Sequence, residues 1–191
     1  MEADFYARSA LEVARGLLGC VVRREGPAGE PSVAGRIVET EAYPGSDDPA
    51  SHAAARIGRT VRNDPLFGPP GTAYVHLNYG IHWCLNAVTG AEGVASGVLI
   101  RSLEPLEGLE TMRIRRGGRD DLTNGPGRLT QALAIGPELQ RHQLDLPPLC
   151  ITAGRPVPDA HVHRSPRIGI SRAVDRLYRF SDARSDWVSR R

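Results

Sequence analysis

The 191-residue chain contains no lysine; all 24 of its basic residues are arginine. This excludes chemistry built on a lysine amine, whether a Schiff base, a Walker-type phosphate lysine or a kinase-type lysine. Cysteine is scarce as well. Cys20, Cys84 and Cys150 are odd in number, far apart and form no Cys-x-x-Cys pair. That argues against a disulfide framework or a structural zinc site, and for a reducing cytosol. No apolar run approaches ~18 residues, so no membrane helix is expected. The acidic start, Met1-Glu2-Ala3-Asp4, lacks the basic and then apolar stretch of a secretory signal, so the expected location is the cytoplasm. Aromatic residues are only 5% of the chain, so an aromatic-lined pocket would have few to draw on.

The net charge is +2, but it is unevenly spread. Residues 155–191 hold nine arginines against four acids, which suits a polyanionic partner read by bidentate guanidinium groups, or else a solvated basic face. There is no repeat, low-complexity tract or linker, so one domain over 1–191 is expected. Residues 7–18 read as an amphipathic helix stopped by Gly19. Cys20 to Arg24 reads as a short strand and Val33 to Tyr43 as a long one. Residues 44–70 form an unusually long loop, a feature that is often functional. Tyr74 to Val88 reads as two strands broken at Asn78-Tyr79-Gly80. Val98 to Arg101 is a short strand. Pro105 to Arg116 reads as a helix with proline near its start, and a second short helix follows Gly125-Pro126-Gly127. Strands and helices interleave without clear strand–helix–strand units, which favours α+β.

Four constellations could carry chemistry. Alternation along a strand puts Ile37, Glu39, Glu41 and Tyr43 on one face, as a carboxylate base beside an aromatic or as an exposed charged strand end. Tyr79, at a hairpin tip, is a wedge for prying bases apart or a side chain folded back into the core. Nearby His76, His82 and Cys84 fall on one face, but they would need a bend to converge on a metal, and none is expected. Arg101 ends an apolar strand, as a surface cap or as a buried carboxylate partner. Gly125-Pro126-Gly127-Arg128 is a Gly-rich turn whose N–H groups could hold a phosphate, or plain turn chemistry.

Taken in order, these strings resemble a family. They are Gly35-Arg36-Ile37-Val38-Glu39-Thr40-Glu41-Ala42-Tyr43 with Asp47, Asp48, Ser51 and His52; Phe67-Gly68-Pro69-Pro70-Gly71-Thr72-Ala73-Tyr74-Val75 running into Tyr79-Gly80 and Cys84-Leu85-Asn86; Leu99 to Gly108; Gly125 to Leu133; and Arg167-Ile168-Gly169-Ile170. The chain resembles the alkyladenine (3-methyladenine) DNA glycosylases, in a compact bacterial form, from about Ala7 to Trp187. The resemblance implies hydrolysis of the N-glycosidic bond of alkylated or deaminated purines flipped out of duplex DNA, by a nucleoid-associated monomer with no cofactor and no membrane. It implies Glu41 as the carboxylate that activates water and Arg101 as the group holding carboxylate and water, keeping Glu41 ionised. It implies Tyr43 and His52 against the two sides of the base, and Asn86 in the pocket, disfavouring the 2-amino group of guanine. Tyr79 would fill the gap in the DNA, and Gly125, Gly127 and Arg128 would meet its backbone. His76 stands where many relatives carry a second stacking tyrosine, and loop 53–58 departs from the usual spacing. The expected architecture is a curved, mostly antiparallel sheet flanked by helices with a protruding hairpin. The alternatives are a catalytically inactive nucleic-acid-binding module of the same fold and a nucleoside hydrolase acting on free small molecules. The absence of lysine fits a monofunctional, water-using glycosylase.

Overall fold

The computed structural model describes residues 1–53 and 57–189; residues 54–56 of the expected departure at 53–58 therefore lie outside the described residues. Two helices open the chain, α1 (Ala3–Tyr6) and α2 (Ala10–Gly16). α2 begins at Ser9, whose side chain and that of Glu12 form a capping box, so the helix starts three residues later than its apolar spacing suggested. Ala10, Val13 and Ala14 of α2, with Leu17 just beyond it, are buried against the sheet.

The strands are β1 (Val21–Arg24), β2 (Val33–Tyr43), β3 (Ala73–Asn78), β4 (His82–Val88), β5 (Gly97–Glu107), β6 (Leu149–Thr152), β7 (Val162–Ser165) and β8 (Arg179–Asp182). All their pairings are antiparallel, in the order β3-β4-β5-β2-β1-β6. β2 is the axis. β5 lies along one edge, while the other edge is shared: β1 pairs with Val33–Arg36 and β8 with Glu39–Glu41. β7 pairs only with β8, off the main path. The result is an α+β fold with a curled antiparallel sheet, few helices and a β3–β4 hairpin.

Two expectations need correction. Ile37 and Ala42 both belong to the main hydrophobic core, although strict alternation would put them on opposite faces. The β2–β5 register shifts between Ile37 and Glu39 and again before Thr40, and such bulges turn the chain over. Ile37 is therefore core, while Glu39 and Glu41 point to the other side. Second, Pro105 lies within β5, not in a helix; α3 runs over Leu109–Arg115. β4 pairs only with Gly97–Leu99, so the far end of β5 has no strand on that edge, where a missing N–H is tolerated. Gly108 makes the turn into α3 at φ 72°, and a Cβ there would meet the Ser32 carbonyl at 2.6 Å. α4 (Pro126–Ala132) is the expected second short helix, but it begins inside the Gly-Pro-Gly string: Gly125 caps it and Pro126 and Gly127 form its first turn, where a proline's missing N–H costs nothing.

Candidate active site

β2 carries two fully buried carboxylates, Glu39 and Glu41, and β5 brings Arg101 between them. Arg101 Nε donates to Glu39 Oε1 at 3.1 Å, and its NH1 nitrogen lies 3.3 Å from Glu41 Oε1. β8 adds a second arginine: Arg179 Nε donates to Glu39 Oε1 at 2.6 Å. Ser189, from the end of the chain, gives its backbone N–H to Glu39 Oε2 at 2.8 Å and its hydroxyl to Oε1 at 3.0 Å. Arg101 is thus a buried carboxylate partner, not a surface cap.

Glu41 has its own donors. The Ile168 N–H meets Oε1 at 2.7 Å and the Tyr43 hydroxyl meets Oε2 at 2.9 Å. Burial pushes the Glu41 pKa up, and Glu39 adds to this; Arg101, the Ile168 N–H and the Tyr43 hydroxyl pull the other way without reversing it. Arg101 therefore moderates the burial of Glu41 but does not by itself keep it in the ordinary carboxylate range. Burial also opposes the charge on Arg101, yet Glu41 and Glu39 hold its pKa above the usual value.

A cavity of about 610 Å³ opens beside this cluster. Tyr43, Arg101 and Ile168, the three groups that touch Glu41, all line it; Glu41 contributes no lining and lies just behind them. The loop carrying Ile168 is tied down by Arg167, which pairs with Asp48 in a fully buried ion pair and donates to the Ala42 carbonyl at 2.9 Å. The Arg167 guanidinium lies 4.5 Å from the Tyr43 ring centre, so it backs that ring as a cation.

Tyr74, His76, His52 and Asn86 line the same cavity. The Tyr74 and His76 rings stack with centres 5.1 Å apart, and His52 meets His76 edge-on at 4.4 Å. His52 Nδ1 lies 3.2 Å from the Tyr74 hydroxyl. His52 keeps an exposed edge, but desolvation within this ring cluster, and then the Arg62 charge, lower its pKa. His76 is 9% exposed; burial, reinforced by His52, Arg62 and His82, lowers its pKa to about 3.

The described residues contain no group of three or more His, Cys, Asp or Glu side chains suited to a metal. His76 and Cys84 pair across β3 and β4, while His82 packs on Gly127, where a Cβ would come within 2.6 Å of the ring.

The match to the methylpurine-DNA glycosylase family model runs over residues 4–186. The chain belongs to the methylpurine-DNA glycosylase family. It is thus a DNA glycosylase, a hydrolase of N-glycosyl bonds. It is 48% identical over 199 residues to a protein of Salinibacter ruber, covering 99% of this chain and 96% of that one. A protein of Carboxydothermus hydrogenoformans is 46% identical over 191 residues, covering 98% and 97% of the two chains. One from Rubrobacter xylanophilus is 50% identical over 164 residues, covering 86% and 84%. Each bears the name "Putative 3-methyladenine DNA glycosylase".

In this glycosylase Tyr79 stands at the β3–β4 tip with φ 49°, 76% exposed, beside Ile81 at 80%. It is not folded back into the core, and it also lines the mouth of the cavity. Gly125 and Gly127 flank Pro126, another lining residue, and Arg128 follows. Arg128 is held by Asp121 at 3.1 Å and by Asn124. Glu39, Arg179, Ser189 and the Arg167–Asp48 pair had no assigned role in the sequence reading. An apolar strand carrying two acids signals at most that buried partners are needed; it does not say which arginines supply them.

Two outcomes follow. Glu39→Ala leaves Arg101 and Arg179 facing one carboxylate in a buried site, and is expected to cost about 3–5 kcal/mol in urea unfolding. Because His76 is neutral in the fold, its contribution to stability is present above an ordinary histidine pKa of ~6.5. It is lost as pH falls toward about 3, since the unfolded chain binds a proton that the fold refuses. Imidazole NMR should show His76 still neutral at pH 5, where an exposed histidine is charged.

Proposed function

We propose that this glycosylase flips a damaged purine, alkylated or deaminated, out of duplex DNA into the 610 Å³ cavity and hydrolyses its N-glycosidic bond with a water activated by Glu41. This would start base excision repair, in the cytoplasm and along the nucleoid. The observation that carries the reading is the buried, partly hydrogen-bonded Glu41 carboxylate behind Tyr43, Arg101 and Ile168, which line the cavity.

A carboxylate has about four lone-pair positions. The Ile168 N–H takes one on Oε1, against which the Arg101 guanidinium lies as an ion pair, and Tyr43 takes one on Oε2. The remaining position on Oε2 is the acceptor for water. A raised pKa makes this carboxylate a stronger base than an exposed one. As the C1′–N bond breaks, its electron pair leaves with the base and the sugar gains oxocarbenium character. Glu41 offsets that charge and takes the water proton as oxygen bonds to C1′.

Tyr43, backed by Arg167, offers one face to the base, and His52, His76 and Asn86 line the same cavity to meet it. Tyr79 is the wedge that fills the vacated stack. Gly125, Gly127 and Arg128, next to the cavity through Pro126, would meet the DNA backbone.

Glu41→Gln should lower release of alkylated purine from a duplex by at least ~10²-fold while duplex binding survives, read by alkali cleavage of abasic sites. Turnover near wild type would remove Glu41 from the mechanism. Tyr79→Ala should weaken excision from duplex more than from single strands, because only the duplex needs the gap filled. Equal effects on both would dismiss the wedge.

A further inference from the structure

Tyr74 and Asn86 are cross-strand partners on β3 and β4, and the Asn86 Nδ2 donates to the Tyr74 carbonyl at 3.0 Å. A carbonyl only accepts, so the amide must turn its nitrogen toward it. The same Nδ2 lies 3.2 Å from His76 Nδ1. Its second hydrogen is therefore aimed at Nδ1, which must offer a lone pair. A neutral imidazole carries one N–H, and here it falls on Nε2. Nε2 makes no hydrogen bond to the described residues. It is not sealed either: the buried side-chain polar atoms without a partner are Tyr6 Oη, Arg24 Nε and Arg167 Nε. His76 lines the cavity, so its free N–H opens into the space for the base.

We infer that His76 is a fixed, neutral Nε2–H donor to the flipped base, and that it favours uncharged lesions, the deaminated purines typified by hypoxanthine. This rests on the glycosylase reading above and names a substrate class for it. A cationic alkylpurine departs as a neutral molecule and gains little from a donor. An uncharged purine departs carrying the electron pair of the broken C1′–N bond, and the charge spreads over its ring nitrogens and 6-oxo oxygen. Water oxygen bonds to C1′, the water proton goes to Glu41, and His76 keeps its own proton. A donor that strengthens as charge develops lowers the barrier for the uncharged base more than for the cationic one. Asn86 has a part in this, since it fixes which nitrogen holds the proton. Because the ring stays neutral, it also avoids repelling cationic alkylpurines.

The test has two arms. Imidazole ¹⁵N NMR of the wild-type protein should place the His76 proton on Nε2. Then kcat/KM is measured on duplexes carrying hypoxanthine or 3-methyladenine. In His76→Phe the ratio of hypoxanthine to 3-methyladenine should fall at least about tenfold, the range of a hydrogen bond to a charged group. In His76→Gln, whose amide can donate, much of that ratio should return. A proton on Nδ1, or a ratio that His76→Phe leaves unchanged, overturns the inference. Failure of the glycosylase reading looks different, because wild-type protein would then release neither base.

Discussion

The site is organised around a buried sandwich of charge, in which Arg101 lies between Glu39 and Glu41 and Arg179 closes the far side. Isolated, any of these groups would be costly to bury; together the charges balance and most of their hydrogen-bonding positions are filled. The arrangement depends on β2. Bulges near Glu39 turn both carboxylates away from the α2 side of the sheet, and β2's shared edge lets β8 deliver Arg179 where β1 ends. The cluster also divides labour. Glu39 is saturated by its partners and holds the arginines. Glu41, reached by fewer donors, is left with basicity to use.

The cavity beside the cluster is lined by two unlike groups of side chains. The Tyr43 side is backed by the Arg167 cation and lies against Glu41 and Arg101. The Tyr74, His76 and His52 rings add no charge of their own where burial disfavours the protonated His76, and the Arg62 cation stands beside them. His76 is held there both by stacking on Tyr74 and by the Asn86 amide at its Nδ1.

Much of this was legible in the residues themselves. β2 spans the stretch from Val33 to Tyr43 that its apolar and β-branched content marked, and the hairpin breaks where Asn78-Tyr79-Gly80 said it would. The ordered strings around Glu41, Tyr79, Arg101 and Gly125 pointed to the family that the wider comparison established. Pro105 misled, because its effect depends on whether a neighbouring strand needs its N–H, and that is a property of the sheet, not of the residue. Ile37 misled because alternation assumes an unbroken register, and the bulges break it.

What the amino-acid sequence determined by itself was the local chemistry: an arginine-only cation set, the strands, the turn residues and the carboxylates able to act. Tertiary structure alone decided the partners. Ser189 reaches Glu39 across 150 positions, Ile168 reaches Glu41 across 127, and Arg167 reaches Asp48 across 119. Local pattern holds no information about such pairings, because they arise only when strand order and register close the sheet. The same closure buries Glu41 and His76, and burial sets their proton affinities.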